Sequence, residues 1–230
     1  MATFTDPGGA QQPVTTPPEA EVDIINGVDR WIFIGTGRLL SPSDLTVAAI
    51  ADQQQTFYAI RDGTSTTPNP IDPAKPLTRA DLTALTDKVN GLTSKPDKGW
   101  YDDLPDTLDG QRRRIITPVK AALSLVAYAG TSPQDNPCLT GEPATLYVRS
   151  FSEGESLLEQ GGSRVDGIDM QQGAVGLDIT IFTDSSDDKT AGGIDIRIAI
   201  TGANSTLVFN QVIPPPELGA HRMSWRLMGQ

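Results

Sequence analysis

The stretch Arg30–Leu45, RWIFIGTGRLLSPSDL, decides how this chain is read. Trp31–Ile32–Phe33–Ile34 is a run of strand formers, and Gly35–Thr36–Gly37 ends it abruptly. Its apolar residues are consecutive rather than alternating, which predicts a strand buried on both faces. A phosphate-cradling loop would need the glycine turn to open a helix, so that backbone N–H groups face the anion. Here Leu39–Leu40–Ser41–Pro42 follows, Pro42 comes too early for that helix, and the chain has no GxGxxG, GKS or GKT. The favoured reading is a strand end that another backbone approaches closely.

Working outward, the 230 residues suit one large domain or two small ones. With 22 Gly, 18 Pro and 37% apolar residues, the chain is rich in turns and folds, but not as a helix bundle. The formal charge is −11, from 18 basic and 29 acidic residues. The only dense basic cluster, Arg112–Arg113–Arg114, runs straight into a strand-like segment, so nucleic-acid binding is not expected. A single cysteine, Cys138, forbids an intrachain disulfide, and with a single histidine, His221, Cys/His zinc patterns are excluded. No apolar run is long enough to span a membrane as a helix. The first residues lack the basic and apolar regions of a signal peptide, so at face value the chain is not exported unless it is a piece of a longer protein.

Residues 1–21, with Pro7, Gly8, Gly9, Pro13, Pro17 and Pro18, read as an extended arm or a segment connecting blades. Strand signals fill 22–230, starting with a short strand at Val22–Ile25. Ser41–Thr46 predicts a turn or a short helix, with Ser43 or Asp44 as N-cap. Gln55–Asp62 reads as a strand closed by Asp62–Gly63, and residues 63–76, with Pro68, Pro70, Pro73 and Pro76, as a loop. Thr78 with Asp81 three residues on predicts a helix start, with Leu82 and Leu85 on one face. From residue 98 the strand runs crowd together: GWYDDLP, QRRRIITPVKA, LSLVAYAGT, ATLYVRSF, VGLDITIFT, IDIRIAI, STLVFNQVI and MSWRLM. Strands at spacings of about 8–15 residues without long helical patterns predict an all-β fold. Asp195 and Arg197 alternate with Ile194, Ile196 and Ile198, as in a sheet with one wet face. Roughly a dozen strands at four per antiparallel sheet make about three blades of a partial β-propeller, with Pro-rich loops and one or two short helices. A β-sandwich with extra strands fits the periodicity equally well.

Few residues carry a chemical signature. His221 has no second histidine and no nucleophile pattern near it, and Cys138 follows Pro137 in a turn, as a structural or unpaired thiol does. Asp102, Asp103, Asp106 and Asp109 surround Pro105, and Asp184, Asp187 and Asp188 form a second acidic run. A calcium loop needs oxygen ligands at alternate positions and a glycine for its sharp turn, and the second run has no such glycine. Trp100 and Tyr101 are expected in the core rather than on an exposed loop.

Several segments then fall into one order. Gln12–Glu19 reads QPVTTPPE, Ile32–Leu40 reads IFIGTGRLL, and Gln55–Asp62 reads QTFYAIRD. Leu77–Leu82 (LTRADL), Lys98–Pro105 (KGWYDDLP), Asp135–Cys138 (DNPC) with Leu146–Tyr147, and His221–Arg226 (HRMSWR) follow. In this order the series resembles the C-terminal part of the PilC/PilY family of type IV pilus biogenesis and tip-adhesin proteins. The departures are Leu227 where the family often has an acidic residue, Gly141–Glu142 in place of a glycine pair, and an Ala-rich Ala122–Tyr128.

The resemblance implies a β-propeller of which this chain holds the last few blades, and a role in binding rather than catalysis. It makes Gly35, Thr36, Gly37, Trp100, Tyr101, Pro105, Cys138 and Trp225 structural motif residues, and places binding contacts on loops that include Asp102, Asp103, Asp135 and Asn136. The implied partners are minor pilins and the pilus tip, the remaining blades or another chain, and a host or solid surface. The implied location is the cell surface, pilus tip or periplasm and outer membrane, with the export signal upstream. The family's propeller carries a calcium loop, but no stretch here matches it, so no cofactor is assigned. An arc of blades would leave two apolar end faces bare, which predicts oligomers or a partner. The alternative is an unrelated all-β structural or carbohydrate-binding module, for which 6% aromatic residues is thin.

Overall fold

The computed structural model describes residues 2–23, 28–46, 52–69, 74–106, 112–132, 143–170, 173–183, 194–202 and 206–209. Asp109, Asp135, Asn136, Cys138, Asp184, Asp187, Asp188, His221 and Trp225 lie outside the described residues.

Within the described residues the fold is all-β. The first sheet holds β1 (Glu19–Asp23), β2 (Asp29–Gly35), β3 (Thr56–Thr64), β4 (Thr83–Ala84) and β5 (Gly99–Asp103), in the order β1-β2-β3-β5-β4. Its four longer strands pair antiparallel, and the two-residue β4 joins β5 in parallel. Next come β6 (Lys120–Ala122), β7 (Leu125–Thr131) and β8 (Ala144–Ser150), then a separate hairpin of β9 (Leu158–Gln160) and β10 (Ser163–Val165). With β11 (Ile168–Met170) these complete a second antiparallel sheet, β11-β8-β7-β6. The third is β12 (Ala174–Thr183), β13 (Ile194–Gly202) and β14 (Thr206–Phe209), in sequence order. Among the described residues the three blade-like sheets hold five, four and three strands.

The sheets stack face to face. Trp31, Phe33, Phe57, Ala59 and Trp100 of the first sheet pack against Val126, Tyr128 and Tyr147 of the second. On its other face the second sheet presents Leu125, Ala127, Ala129, Leu146 and Val148 to Leu177, Ile198 and Ile200 of the third. The middle sheet is therefore the one buried on both sides, and every residue of β7 and β8 is buried. Small Ala127 and Ala129 leave room for the isoleucines opposite, so an Ala-rich strand serves well there. In β2, by contrast, burial alternates. Trp31 and Phe33 are fully buried, while Ile32 and Ile34 are only half-buried on the outer face. Burial of both faces, expected of β2, belongs to β7 and β8.

Local chemistry explains the other elements. Helix α1 (Ser43–Thr46) is a single turn. The Asp44 carboxylate does not cap it but accepts the Leu40 and Ser41 N–H groups at 2.7 and 3.1 Å, closing the loop before it. Thr78 donates its N–H and hydroxyl to Asp81 at 3.0 and 2.9 Å, as the sequence predicts. The helix stops after one 3-10 turn, Arg79–Asp81, because Leu82 is extended and the chain turns to pair β4 with β5. Most of QRRRIITPVKA is irregular. Arg114 makes one bridge to Thr131, Ile115 N–H is committed to Thr36, and Pro118 has no N–H to give. The arm at 2–18 lies along the outer face of the first sheet, with Phe4 4.7 Å from the Tyr58 ring and Thr3 N–H bonded to the Leu77 carbonyl.

Candidate functional site

Strand β5 gathers most of the sequence-selected residues. The period of two sends Trp100 and Asp102 into the space between the first and second sheets, and Tyr101 and Asp103 to the outer face. Trp100 is fully buried and donates its indole N–H to the Phe151 carbonyl at 2.8 Å. Around it the aromatic rings form a ladder. Phe57 and Tyr128 stack at 3.9 Å across the two sheets, and Tyr147 continues at 5.0 Å from Tyr128. Phe33 and Trp31 extend the series on the other side, at 6.2 Å from Phe57 and 6.4 Å from Phe33 respectively.

Asp102 stands at the edge of this ladder with no exposed surface. Its carboxylate accepts the Tyr128 hydroxyl at 2.6 Å and the Arg149 guanidinium at 3.2 Å, and pairs with Lys88. Arg149, also fully buried, donates to Tyr128 at 3.2 Å and reaches Asp166 and the Lys88 carbonyl. Two carboxylates thus face two cations, which balances the charge where the dielectric is low. Burial alone would disfavour the Arg149 cation, but Tyr128, Asp102 and Asp166 outweigh it and hold the pKa above its ordinary value. Burial, with the Asp102 charge beside it, pushes the Tyr128 phenol well above 10.0. Neither group changes charge near neutral pH, so the network acts as a permanent clamp between two sheets.

On the outer face Asp103 pairs with Arg79 and accepts the Thr56 hydroxyl at 2.7 Å. The Arg79 guanidinium also lies 3.9 Å over the Tyr101 ring. Asp102 and Asp103, which the sequence places in a binding loop, therefore stand in a strand with both carboxylates engaged. Pro105 follows the strand, and its carbonyl accepts the Arg113 guanidinium at 3.2 Å.

The glycine stretch is a crossing point. Thr36 N–H and hydroxyl both donate to the Thr56 carbonyl at 3.0 Å, and its own carbonyl accepts Ile115 N–H at 2.9 Å. Gly37 N–H bonds to the Pro13 carbonyl at 2.8 Å, and the Gly37 carbonyl accepts the Thr15 hydroxyl at 2.8 Å. A Cβ at Gly35 would meet the Ile115 side chain, and one at Gly37, where φ is +156°, would lie 2.8 Å from the Ile115 backbone N and O. Glycine is required because the 113–115 segment and the arm both cross the end of β2. The backbone groups that a phosphate would need are already bonded to protein.

A concave surface opens on the outer face of the first sheet. It encloses about 770 Å³, with Ile32, Ile34 and Ile60 as floor and Phe4, Pro76 and Leu77 along one wall. Its charged margin is largely self-paired: Arg61 with Asp29 at 2.8 Å, Asp62 with Arg30, and Lys98 with Asp81 at 2.7 Å. Sequence reasoning missed this surface, and it missed Arg149. A lone arginine inside the apolar run ATLYVRS is the signal that would have found the latter, since an unpaired charge is almost never buried. Among the described residues no group of three or more His, Cys, Asp or Glu is placed to hold a metal ion. No helix among them is long and apolar enough to cross a membrane.

No family model and no curated protein matches the chain. A solved structure does: the crystal structure of the Pseudomonas aeruginosa PilY1 C-terminal domain, with a TM-score of 0.58, 16% identity, and coverage of 94% of this chain and 48% of that one. The chain has the fold of the PilY1 C-terminal domain. It spans about half the length of that solved chain, 48%. The PilY1-like fold agrees with a partial β-propeller. The clamp, the aromatic ladder and the glycine crossing all lie between or at the ends of these sheets, where they fix how one sheet sits on the next.

Proposed function

We propose that this chain is part of a type IV pilus biogenesis or tip-associated protein, working at the pilus and cell surface through protein contacts rather than catalysis. The observation that carries the reading is the fold shared with the PilY1 C-terminal domain over 94% of the chain. The collinear motif series from Gln12 to Arg226 supports it independently. The described charged side chains add support of a different kind: the carboxylates of β5 are tied up in ion pairs that join elements, as in a scaffold. Contacts with minor pilins, and adhesion to a host or solid surface, would be made by loops on this scaffold, since loops on rigid sheets carry binding residues.

The test is binding of purified minor pilins from the same organism to the immobilised chain. Saturable binding, abolished when the chain is unfolded and absent with an unrelated β-propeller, is the expected result. No binding by chain that remains folded by circular dichroism would overturn the reading.

A further inference from the structure

The arm at 2–18 sits on the body as a small folded ligand sits on a receptor. It belongs to none of the three sheets. Much of its backbone bonding is internal. Gln12 N–H donates to the Phe4 carbonyl at 3.0 Å, Asp6 N–H to Ala10 at 2.9 Å and Gly9 N–H to Asp6 at 3.0 Å, which makes a hairpin around Pro7–Gly8–Gly9. The hairpin brings Phe4 and Gln12 together over Tyr58, with Phe4 4.7 Å from its ring. The Gln12 side chain is buried. Its amide nitrogen donates to the Gln54 carbonyl at 2.6 Å and the Thr56 hydroxyl oxygen at 2.8 Å, and its carbonyl accepts the Tyr58 hydroxyl at 2.7 Å. This socket selects a primary carboxamide. The Gln54 carbonyl can only accept, and so can the Thr56 oxygen here, because its proton is committed to Asp103 at 2.7 Å. Burial raises the Tyr58 phenol above its ordinary pKa, so it stays a donor. A glutamate in place of Gln12 would set a carboxylate against two acceptors.

We propose that the Gln54–Thr56–Tyr58 seat is a recognition site for a glutamine-bearing segment, that the arm is its internal ligand, and that the same segment of a second copy of this chain can take the arm's place. Among the described residues, the backbone bonds from arm to body lie near the two ends of the arm: Thr3 N–H to the Leu77 carbonyl and Gly37 N–H to the Pro13 carbonyl, both at 2.8 Å. Side chains supply the rest, among them the Gln53 amide on the Gln11 carbonyl at 2.9 Å and the Thr15 hydroxyl on the Gly37 carbonyl at 2.8 Å. The arm can therefore leave without breaking a pairing inside any of the three sheets. Thr16–Pro17–Pro18 joins it to β1, and neither proline has an N–H to tie the joint down. An arm from a second copy would meet an identical socket, so the exchange keeps every contact. The arm's own attachment holds it at the seat at an effective concentration of about millimolar, and that is what a second copy competes against. The inference stands on the arm and its seat and does not depend on the pilus reading.

The experiment cuts the tether and offers the arm back. A protease site is placed between Pro18 and Glu19 of the 230-residue chain, and the folded chain is cleaved. Circular dichroism follows the fold of the body, gel filtration separates the arm, and a fluorescent peptide spanning Ala2–Pro18 is titrated by polarisation. The cleaved body is expected to stay folded and to take up the peptide saturably. A Gln12→Glu peptide is expected to bind at least about tenfold more weakly, because it brings a carboxylate to a seat of acceptors. The uncut chain is expected to take up the peptide at least about tenfold more weakly than the cleaved one, because its own arm competes. No uptake by a cleaved body that stays folded overturns the proposal. Equal binding of the Gln12→Glu peptide overturns the carboxamide selectivity, and equal uptake by cut and uncut chain overturns the shared seat. Unfolding of the body on cleavage overturns the proposal as well, since the arm is then part of the core and not a ligand. Peptide uptake and minor-pilin binding are separate readouts, so either can fail alone.

Discussion

Replacing Arg149 with methionine is the sharpest test of how the first two sheets are joined. Its guanidinium has no exposed surface and holds Asp102 at 3.2 Å, Tyr128 at 3.2 Å, Asp166 and the Lys88 carbonyl. Methionine matches much of the volume, so the loss is electrostatic. Asp102 keeps Lys88 and the Tyr128 hydroxyl, but a fully buried carboxylate loses one of two cations, and the half-buried Lys88 carbonyl loses its donor. Removing one partner of a buried pair costs about 3–5 kcal/mol. The retained Lys88 contact puts the expectation at the low end, about 3 kcal/mol. That is a large part of a typical domain's stability of about 5–15 kcal/mol. Urea unfolding followed by tryptophan fluorescence reads it directly, since Trp31 and Trp100 are both buried. In a cycle with Asp102→Asn, the two substitutions together should cost at least about 1 kcal/mol less than their sum, because each removes the other's partner. An Arg149→Met protein within about 1 kcal/mol of wild type, with additive behaviour in the cycle, would show that the clamp contributes nothing to holding the sheets together.

Other substitutions and conditions follow from the same geometry. Gly35→Ala and Gly37→Ala should each destabilise by about 2–3 kcal/mol or prevent folding, because the added methyl would collide with Cγ2 and stand 2.7 Å from Cβ of the fully buried Ile115 at the first and 2.8 Å from the Ile115 backbone at the second; chemical denaturation measures both. Trp100→Phe removes the 2.8 Å bond to Phe151 and should cost about 1–3 kcal/mol, read by thermal or urea unfolding. Arg38, with the Leu40 N–H, holds the Asp44 carboxyl down at about 2, and Lys98, with Thr78, does the same for Asp81, both from an ordinary 3.8. The unfolded chain therefore binds more protons than the folded one between these values, so stability is full above about pH 4 and falls as the pH drops towards 2. Asp44→Asn should flatten part of that slope in a series of denaturation curves at falling pH.

Much of this fold can be read from the residues, and the limits have physical causes. Trp31–Ile34 and Gln55–Asp62 announce strands because branched and aromatic side chains suit a pleated surface and a turn follows each. Gly35 and Gly37 announce a close crossing because no helix follows them. Thr78 and Asp81 announce a helix start, but its length was set by a tertiary pairing, β4 with β5, that no local pattern encodes. Asp102 and Asp103 look like an acidic loop before Pro105. Only the pairing of β5 with β3 reveals that one enters a buried clamp and the other an outer ion pair. The partners in that clamp, Lys88, Tyr128, Arg149 and Asp166, come from distant parts of the chain. The β9–β10 hairpin and β11 also went unpredicted. Each is three residues long, too short for a period-two pattern to register.

The function proposed above, a binding scaffold in pilus biogenesis, has a direct test. The most direct measurement is surface piliation, by quantifying pili sheared from cells that lack the encoding gene and from cells complemented with wild type or Gly37→Ala. The account predicts pili lost on deletion, restored by the wild-type gene, and restored poorly by the variant with the obstructed strand crossing. Undiminished pili in the deletion strain, with twitching and surface attachment intact, would contradict it.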